Sequence, residues 1–373
     1  MHHQALHFQA DRIEMVLASH KVPARVTGGQ VTPRWVRYQV STPLGVRVRQ
    51  VAGLAEEIAL SLGASSCRVY RQDGQLQVEV PRTDGQGVRL LDLCRQLALC
   101  AAVPPVTAVL GLDQEGVPLL LRLPSPDVAH VLIAGTTGSG KTALARTIIV
   151  SLALHNSQRR VQMVLVDPKG RGLMPLSGLP HLLVPVLTRV EEVLPVLQRL
   201  VDEMERRDAE GRSDPRLVVV LDELADLVQV GGREMEAALI RLMQRGREAG
   251  IHVVACTQKP TAAVIGSLVK SNFPVRLVGS VASPEDAKVA TGLSGTGAER
   301  LLGQGDFVVV AKGQVMRLQA AYIGPDEVRE LVAQFRQGSR PLLAASTDRG
   351  RGHKTPFLGQ VVTGLRARLQ PVR

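Results

Sequence analysis

Aromatic residues are scarce in this sequence, at 2% of 373 residues, and Trp35 is its single tryptophan. Proteins that grip single-stranded nucleic acid stack the bases on aromatic side chains, so the composition argues against that mode of binding. Long apolar runs are lacking as well, because the longest candidate, Leu97 to Leu112, is broken by two adjacent prolines. A membrane-spanning helix needs about 20 apolar residues, and we therefore expect no membrane span.

The four cysteines show neither a CxxC pair nor a histidine at metal-ligand spacing. Isolated cysteines with apolar neighbours are typical of reduced core thiols rather than of a zinc site or a disulfide. The N-terminal residues, MHHQALHFQADR, do not follow the basic-then-apolar layout of a secretory signal. These features together predict a cytoplasmic protein.

Positive charge dominates, with a formal net charge of +11. Much of the excess lies at the C-terminus, where residues 336–373 contain eight Arg or Lys against one Asp. Basic proteins gain affinity for nucleic acid by releasing its condensed counterions, so a polyanionic partner is favoured. A solvated basic tail without a dedicated role is the alternative interpretation of the same residues.

Three zones are visible along the chain. Residues 1–124 mix strand-like alternation, as in Trp35–Val40, with helical spacing, as in Val51–Leu62, and predict a small α/β domain. Residues 125–335 alternate continuous apolar runs with helical stretches, which predicts a doubly wound, mainly parallel sheet. We expect residues 336–373 to form a basic, mobile tail. The predicted buried strands of the second zone are Val131–Ala134, Val161–Val166, Leu217–Leu221 and Val253–Ala255, and its predicted helices are Thr142–Leu154, Glu191–Arg207 and Arg233–Ala249.

Residues 135–142, GTTGSGKT, match the pattern G-x-x-x-x-G-K-[ST] between a predicted strand and a predicted helix. Backbone N–H groups of such a loop and the helix N-terminus bind phosphates. Lys141 is predicted to reach the β- and γ-phosphates, and the Thr142 hydroxyl to ligate Mg²⁺. The cofactors expected are therefore ATP and Mg²⁺. The predicted nucleotide-binding residues are Gly135, Thr136, Thr137, Gly138, Ser139, Gly140, Lys141 and Thr142.

An acidic pair follows the apolar run Leu217–Leu221. Asp222 is placed to hold Mg²⁺ through water, and Glu223 to polarise the attacking water as a general base. The alternative is that both acids simply complement the N-terminus of the next helix. Their position one strand beyond a P-loop favours the catalytic interpretation.

Two further polar residues are candidates for nucleotide hydrolysis. Gln258 follows the next predicted strand, where its amide can sense the γ-phosphate. Arg247 stands near the end of the preceding helix, where it either complements the helix C-terminus or projects into a neighbouring subunit as an arginine finger.

Several motifs then occur in a fixed order: GTTGSGKT, VDPKGRGL, GLPHLL, EMERR, VVVLDELADLV, REAGIHVVACTQKP and LVKSNFPVR. In this series the chain resembles the RecA-like motor domain of the FtsK/SpoIIIE family of bacterial DNA translocases. Upstream, residues 31–70 resemble the smaller α domain that precedes the motor in that family.

The resemblance implies a homo-hexameric ring around double-stranded DNA, with ATP sites at the subunit interfaces. It places Lys141, Thr142, Asp222, Glu223 and Gln258 at the family's nucleotide-site positions, and Arg247 at the arginine that acts across the subunit boundary. The family grips DNA with arginines at two positions that are Lys259 and Lys288 here. Both lysines keep the charge and lose the guanidinium fork.

Full-length family members also carry an N-terminal membrane anchor and a C-terminal winged-helix domain, and we expect neither here. A separate loading or anchoring protein is then implied, and a motor for plasmid, phage or mobile-element DNA fits better than septal chromosome segregation. A double-stranded DNA translocase is the leading hypothesis. The alternatives are a related ATPase that energises protein export and a nucleotide-dependent DNA-binding scaffold.

Overall fold

The computed structural model describes residues 3–32, 34–72, 74–82, 87–100, 103–258 and 272–338. The chain divides into two compact units between Gly87 and Val88. Most of the predicted basic tail and the predicted DNA contact Lys259 lie outside the described residues. Within them, no helix is both long and apolar enough to cross a membrane.

The first unit is an antiparallel sheet covered by helices, with strand order β1-β2-β4-β3. Apolar side chains of α1 and α3, among them Ile13 and Ile58, form its core together with Tyr38 and Val78 of the sheet. The elements are α1 (His3–Ser19), β1 (Arg25–Val31), β2 (Trp35–Ser41), α2 (Val48–Ala52), α3 (Ala55–Leu62), β3 (Arg68–Gln72) and β4 (Gln75–Pro81).

The second unit is built on a nine-stranded sheet of order β6-β5-β13-β12-β11-β7-β10-β9-β8. Its first elements are α4 (Leu90–Cys100), β5 (Thr107–Leu112), β6 (Pro118–Arg122), β7 (Val131–Ala134), α5 (Lys141–His155), β8 (Val161–Val166) and α6 (Val190–Glu210). The remaining elements are β9 (Arg216–Leu221), α7 (Leu224–Arg245), β10 (Ile251–Thr257), β11 (Val275–Val278), α8 (Pro284–Thr291), β12 (Asp306–Ala311), β13 (Gln314–Ala320) and α9 (Pro325–Arg336).

The large sheet has a parallel half and an antiparallel half. Strands β8, β9, β10, β7 and β11 pair in parallel, whereas β11, β12, β13, β5 and β6 pair antiparallel. The predicted α/β class is confirmed, and the antiparallel half extends it. The unit boundary at Gly87 differs from the predicted boundary at residue 124, because β5 and β6 complete this sheet through β13.

Helices cover both faces of the parallel half. Val131 and Ile133 of β7 belong to the same hydrophobic cluster as the buried side chains of α5. Leu132 and Ala134, which alternate with them, belong to the cluster formed with α6 and α7. Strands buried on both faces read as continuous apolar runs, which is why the sequence located these strands well.

The helix before β10 begins earlier than predicted. The sequence placed its start at Arg233, but α7 begins at Leu224 and contains a kink at Gly232, whose φ of +64° and ψ of −157° are not helical. Glycine adopts this conformation without steric cost. The kink interrupts the periodic pattern, and only the part after it was recognised.

We expect Gly111→Ala to destabilise the second unit by about 2 kcal/mol or more, because strain at such backbone positions adds to steric overlap. Gly111 has a φ of +151°, and a Cβ there would lie 2.1 Å from the Gln319 carbonyl oxygen of β13. Urea unfolding measures the effect. Gly116→Ala is the control, since Gly116 also has a positive φ but has nothing within 4 Å of its Cβ position. Equal stability of the two variants would contradict the prediction.

Candidate nucleotide site

The P-loop connects the carboxyl end of β7 to the first residue of α5. Gly140 adopts a φ of +102° immediately before the helix, and a Cβ there would lie 3.0 Å from the Gly305 backbone nitrogen. The loop is bound to its neighbours by the Thr136 N–H, which donates to Ser280 O at 2.7 Å, and by the Gly305 N–H, which donates to Ser139 O at 3.1 Å. The loop is therefore held by backbone hydrogen bonds to the segments after β11 and before β12.

Lys141 lies across the inside of this loop. Its side chain is almost buried, and Nζ donates to Thr136 O at 2.9 Å. Burial lowers the pKa of Lys141, and the charges of Asp222 and Glu223 oppose that shift. The ammonium group is thus folded over the residues whose backbone would surround a phosphate.

Thr142 and Asp222 meet from two different elements. Thr142 lies in the first turn of α5, Asp222 follows β9, and Thr142 Oγ1 is 3.3 Å from Asp222 Oδ2. Burial raises the pKa of Asp222, and the charge of Asp167 raises it further. A divalent cation would stabilise the ionised form of this carboxylate, and hydroxyl and carboxylate oxygens are the ligands that Mg²⁺ prefers.

Asp167 adds a second acid to this edge. It follows β8, is completely buried, and accepts a hydrogen bond from the Leu173 N–H at 2.8 Å through Oδ2. Its other oxygen, Oδ1, has no hydrogen-bond donor among the described residues. A buried carboxylate is costly unless it is paired, so the donor set fits a cation in this part of the site.

Glu223 is held in a strained backbone conformation at the start of α7. Its φ of +66° is uncommon for a residue other than glycine, and such strain is concentrated at functional sites. Its buried carboxylate accepts from the Gln258 backbone N–H at 3.1 Å and from Lys169 Nζ at 3.2 Å. The carboxylate is thus fixed by two donors, one of them on an exposed, flexible side chain.

The side chain of Gln258 reaches back to the P-loop. It follows β10, and its Oε1 accepts a hydrogen bond from Thr137 Oγ1 at 3.0 Å. The structure therefore brings the P-loop, Asp222, Glu223 and Gln258 together at one edge of the sheet.

Two predicted residues lie elsewhere. Arg247 precedes β10, so it stands at the opposite edge of the parallel strands from the P-loop, where its Nε is 3.5 Å from Glu248 Oε1. Lys288 is exposed on α8. Neither belongs to the cluster around Lys141.

Sequence reasoning used the loop after β8 only as a family motif, VDPKGRGL, and assigned it no site residue. Gly172 packs so closely against the Thr142–Asp222 pair that a Cβ would lie 2.3 Å from Thr142 Cγ2, and its carbonyl accepts from Arg146 Nη1 at 3.1 Å. The signal was the polar run Asp167-Pro168-Lys169 directly after a buried strand, the same signal that identified Asp222.

Models of two related families match most of the chain. The FtsK/SpoIIIE family matches residues 89–213 and 208–262, and the FtsK alpha domain matches residues 1–82. The chain belongs to the FtsK/SpoIIIE family. This FtsK/SpoIIIE chain is 34% identical over 367 residues to DNA translocase FtsK of Mycobacterium tuberculosis, with 89% of the chain and 44% of that protein covered. It is also 34% identical over 359 residues to DNA translocase SftA of Bacillus subtilis, covering 89% of the chain and 37% of that protein.

The FtsK/SpoIIIE chain spans less than half the length of these relatives. Among solved structures it resembles the pCW3 conjugation coupling protein TcpA, with a TM-score of 0.60 at 19% identity, covering 88% of this chain and 99% of TcpA. The cytoplasmic domain of the type VII secretion ATPase EccC of Thermomonospora curvata gives a TM-score of 0.57 at 24% identity, covering 67% and 34%. These similarities show a shared fold.

Gly172→Ala should weaken the binding of Mg²⁺–nucleotide by about 10-fold or more, since a Cβ would displace Thr142 or Asp222, and small misplacements in such sites are costly. Titration of a fluorescent ATP analogue with and without Mg²⁺ measures the effect. The loss should be confined to the Mg²⁺-dependent part. Gly170→Ala is the control for backbone strain in the same loop, because Gly170 has a φ of +62° while a Cβ there would meet only Thr188 Cγ2, at 4.0 Å. Unchanged Mg²⁺ dependence in Gly172→Ala would refute the assignment.

Proposed function

We propose that this chain hydrolyses ATP to move along double-stranded DNA. One observation carries the proposal: Lys141, the Thr142–Asp222 pair and Glu223 meet at one sheet edge. A scaffold that only binds nucleotide has no need for a carboxylate in the position of Glu223, whereas a motor must hydrolyse repeatedly. We propose double-stranded DNA as the substrate because relatives in the same family are named DNA translocases.

Each residue then has a defined task. The backbone of residues 135–140 and the Lys141 ammonium bind the phosphates, and Thr142 and Asp222 hold Mg²⁺, Asp222 through water. When bound, Mg²⁺ neutralises charge on the phosphate oxygens. Glu223 orients a water molecule and accepts its proton, and Gln258, which already contacts Thr137, senses the γ-phosphate.

The position of Arg247 supports the assembly of several copies of the chain into a ring. It lies at the sheet edge opposite its own P-loop, so it acts on a nucleotide only if that nucleotide belongs to another subunit. Such a head-to-tail contact between unlike surfaces closes into a ring when the rotation between subunits permits it. We propose a homo-hexamer, in which Arg247 serves the neighbouring site as an arginine finger.

The basic surplus supports non-specific grip on the DNA backbone. Lys288 is exposed, as a phosphate contact must be, and we propose it as one contact, with Lys259 as a second. The first unit is proposed to serve as the α domain and the second as the motor. A cytoplasmic location, a separate loading or anchoring protein and a role in plasmid, phage or mobile-element transfer stay predictions.

Steady-state ATP hydrolysis should rise at least 10-fold when long duplex DNA is added, and single-stranded DNA should not substitute for it. The stimulation should fall steeply as salt increases, because phosphate contacts release counterions. Lys141→Ala provides the blank.

A measurable basal rate that is indifferent to DNA would contradict the proposal and favour a protein-export ATPase. Tight DNA binding with negligible hydrolysis would instead favour a scaffold.

Arg247→Ala should lose at least about 100-fold of the DNA-stimulated rate, since an arginine finger contributes about 10³ or more to phosphoryl transfer. Its own nucleotide binding should stay normal. Mixed with Lys141→Ala, which lacks a working site but keeps its finger, it should regain activity, because some sites then combine an intact P-loop with an intact Arg247. Full activity of Arg247→Ala alone would remove the finger role.

A further inference from the structure

The turn that carries Arg247 has a buried base and an exposed tip. We refer to residues 246–250 as the finger turn. Gly246, Ala249 and Gly250 are buried, whereas Arg247 and Glu248 are exposed. The base is closed by the Gly250 N–H, which donates to Arg247 O at 3.1 Å, and by the N–H of the following isoleucine, which donates to Gly246 O at 2.7 Å. The backbone beneath Arg247 is therefore fixed, while its side chain is exposed and pairs with the adjacent Glu248.

A buried arginine on α6 binds this base. Arg207 is only 2% exposed, and its Nη1 donates both to Ala249 O in the finger turn, at 3.0 Å, and to Pro215 O before β9, at 2.7 Å. Its Nε donates to Glu203 Oε1 at 2.7 Å. One guanidinium group thus joins the last turns of α6 to the segment before β9, eight residues on, and to the finger turn, 42 residues on.

The finger turn is packed closely on its other side. Gly250 has a φ of +74°, and a Cβ there would lie 2.0 Å from the carbonyl oxygen of Ser213. The backbone of residues 213–215 is therefore in contact with the finger turn at Gly250, and Arg207 binds both through Pro215 and Ala249. Arg207 thus connects this backbone to the finger turn through two hydrogen bonds.

A charged group is an expensive way to fill a buried position. Removing a guanidinium from water is costly unless it is paired, and well-packed apolar side chains often replace buried ion pairs without loss of stability. An apolar side chain cannot bind two carbonyl oxygens in fixed directions, whereas the planar guanidinium group of arginine can. The geometry at Arg207 is therefore better explained by the alignment of backbone than by stability alone.

We infer that Arg207 is a positioning residue, which holds the finger turn so that Arg247 projects towards the nucleotide of the neighbouring subunit. The inference rests on the proposed function, in which Arg247 acts across the subunit boundary. Arg207 binds beside the amino ends of β9 and β10, at the sheet edge opposite its own P-loop, and its hydrogen bonds within the described part of the chain go to Glu203, Pro215 and Ala249. Replacing Arg207 should therefore impair ATP hydrolysis at the neighbouring subunit's site and leave nucleotide binding at its own subunit's site intact.

The test compares Arg207→Met with Arg206→Met. Methionine keeps much of the length of the side chain and removes its donors, and Glu203 keeps Arg206 and Arg212 as partners. Arg206 is the matched control, because it also pairs with Glu203 but is half-exposed, and its other ion pair among the described residues is with Glu210 on the same helix. Arg207→Met should lose 10- to 100-fold of the DNA-stimulated rate, as expected for a misplaced catalytic group, with unchanged nucleotide affinity. Arg206→Met should keep nearly full activity.

Mixing experiments separate positioning from general damage. Arg207→Met mixed with Lys141→Ala should regain activity as Arg247→Ala does, because the Lys141→Ala subunits supply correctly placed fingers. If Arg247→Ala is rescued and Arg207→Met is not, or if Arg207→Met is fully active, the inference is wrong although the finger stands. If Arg247→Ala is not rescued, the fault lies in the finger assignment itself, and the inference falls with it.

Arg207→Lys replaces Arg207→Met as the test variant if the methionine variant does not fold. Lysine keeps the charge beside Glu203 but lacks the planar guanidinium group that fixes the directions of the Nη1 bonds to Pro215 and Ala249. It should show a smaller loss of rate that Lys141→Ala subunits again rescue. A folded Arg207→Lys with a full rate and no gain on mixing would overturn the inference.

Discussion

In a parallel sheet the carboxyl ends of all strands lie at the same edge. Strands β7, β10, β9 and β8 pair in parallel in this order. The segments that follow these strands begin at Gly135, Gln258, Asp222 and Asp167. They are far apart in the chain and come together only through the direction of the strands. The same direction sends the amino end of β10, with Arg247 before it, to the opposite edge. The separation of site and finger, on which the proposed ring depends, is thus a property of the sheet.

The edge that receives these segments is rich in buried charge. Lys141, Asp167, Asp222 and Glu223 are all removed from water to a large extent. The molecule offsets the cost internally, with Lys141 bound to a P-loop carbonyl and Glu223 bound to Lys169. Under the proposed function, phosphates and Mg²⁺ would take over part of this compensation. Low dielectric then strengthens every interaction with the reacting groups.

Much of the site could be predicted from the sequence because its signals are local. The P-loop is a contiguous pattern between a strand and a helix, and Asp222 and Glu223 directly follow an apolar run. The loop after β8 was assigned no site residue, although Asp167 stands in an equivalent position. Its importance depends on Gly172 lying against Thr142, and the sequence does not express a contact between a loop and a distant helix.

The fold divides in the same way, into features that local sequence patterns predict and features that depend on distant contacts. By itself the sequence determined four of the five parallel strands, most of the helices between them and the P-loop, because apolar periodicity and glycine placement are properties of neighbouring residues. Only the tertiary structure decided that β5 and β6 join the large sheet through β13, that Gln258 reaches Thr137, and that Arg207 binds the turn before β10. These features depend on hydrogen bonds between segments distant in the chain, whose partners are fixed by the packing of the whole unit.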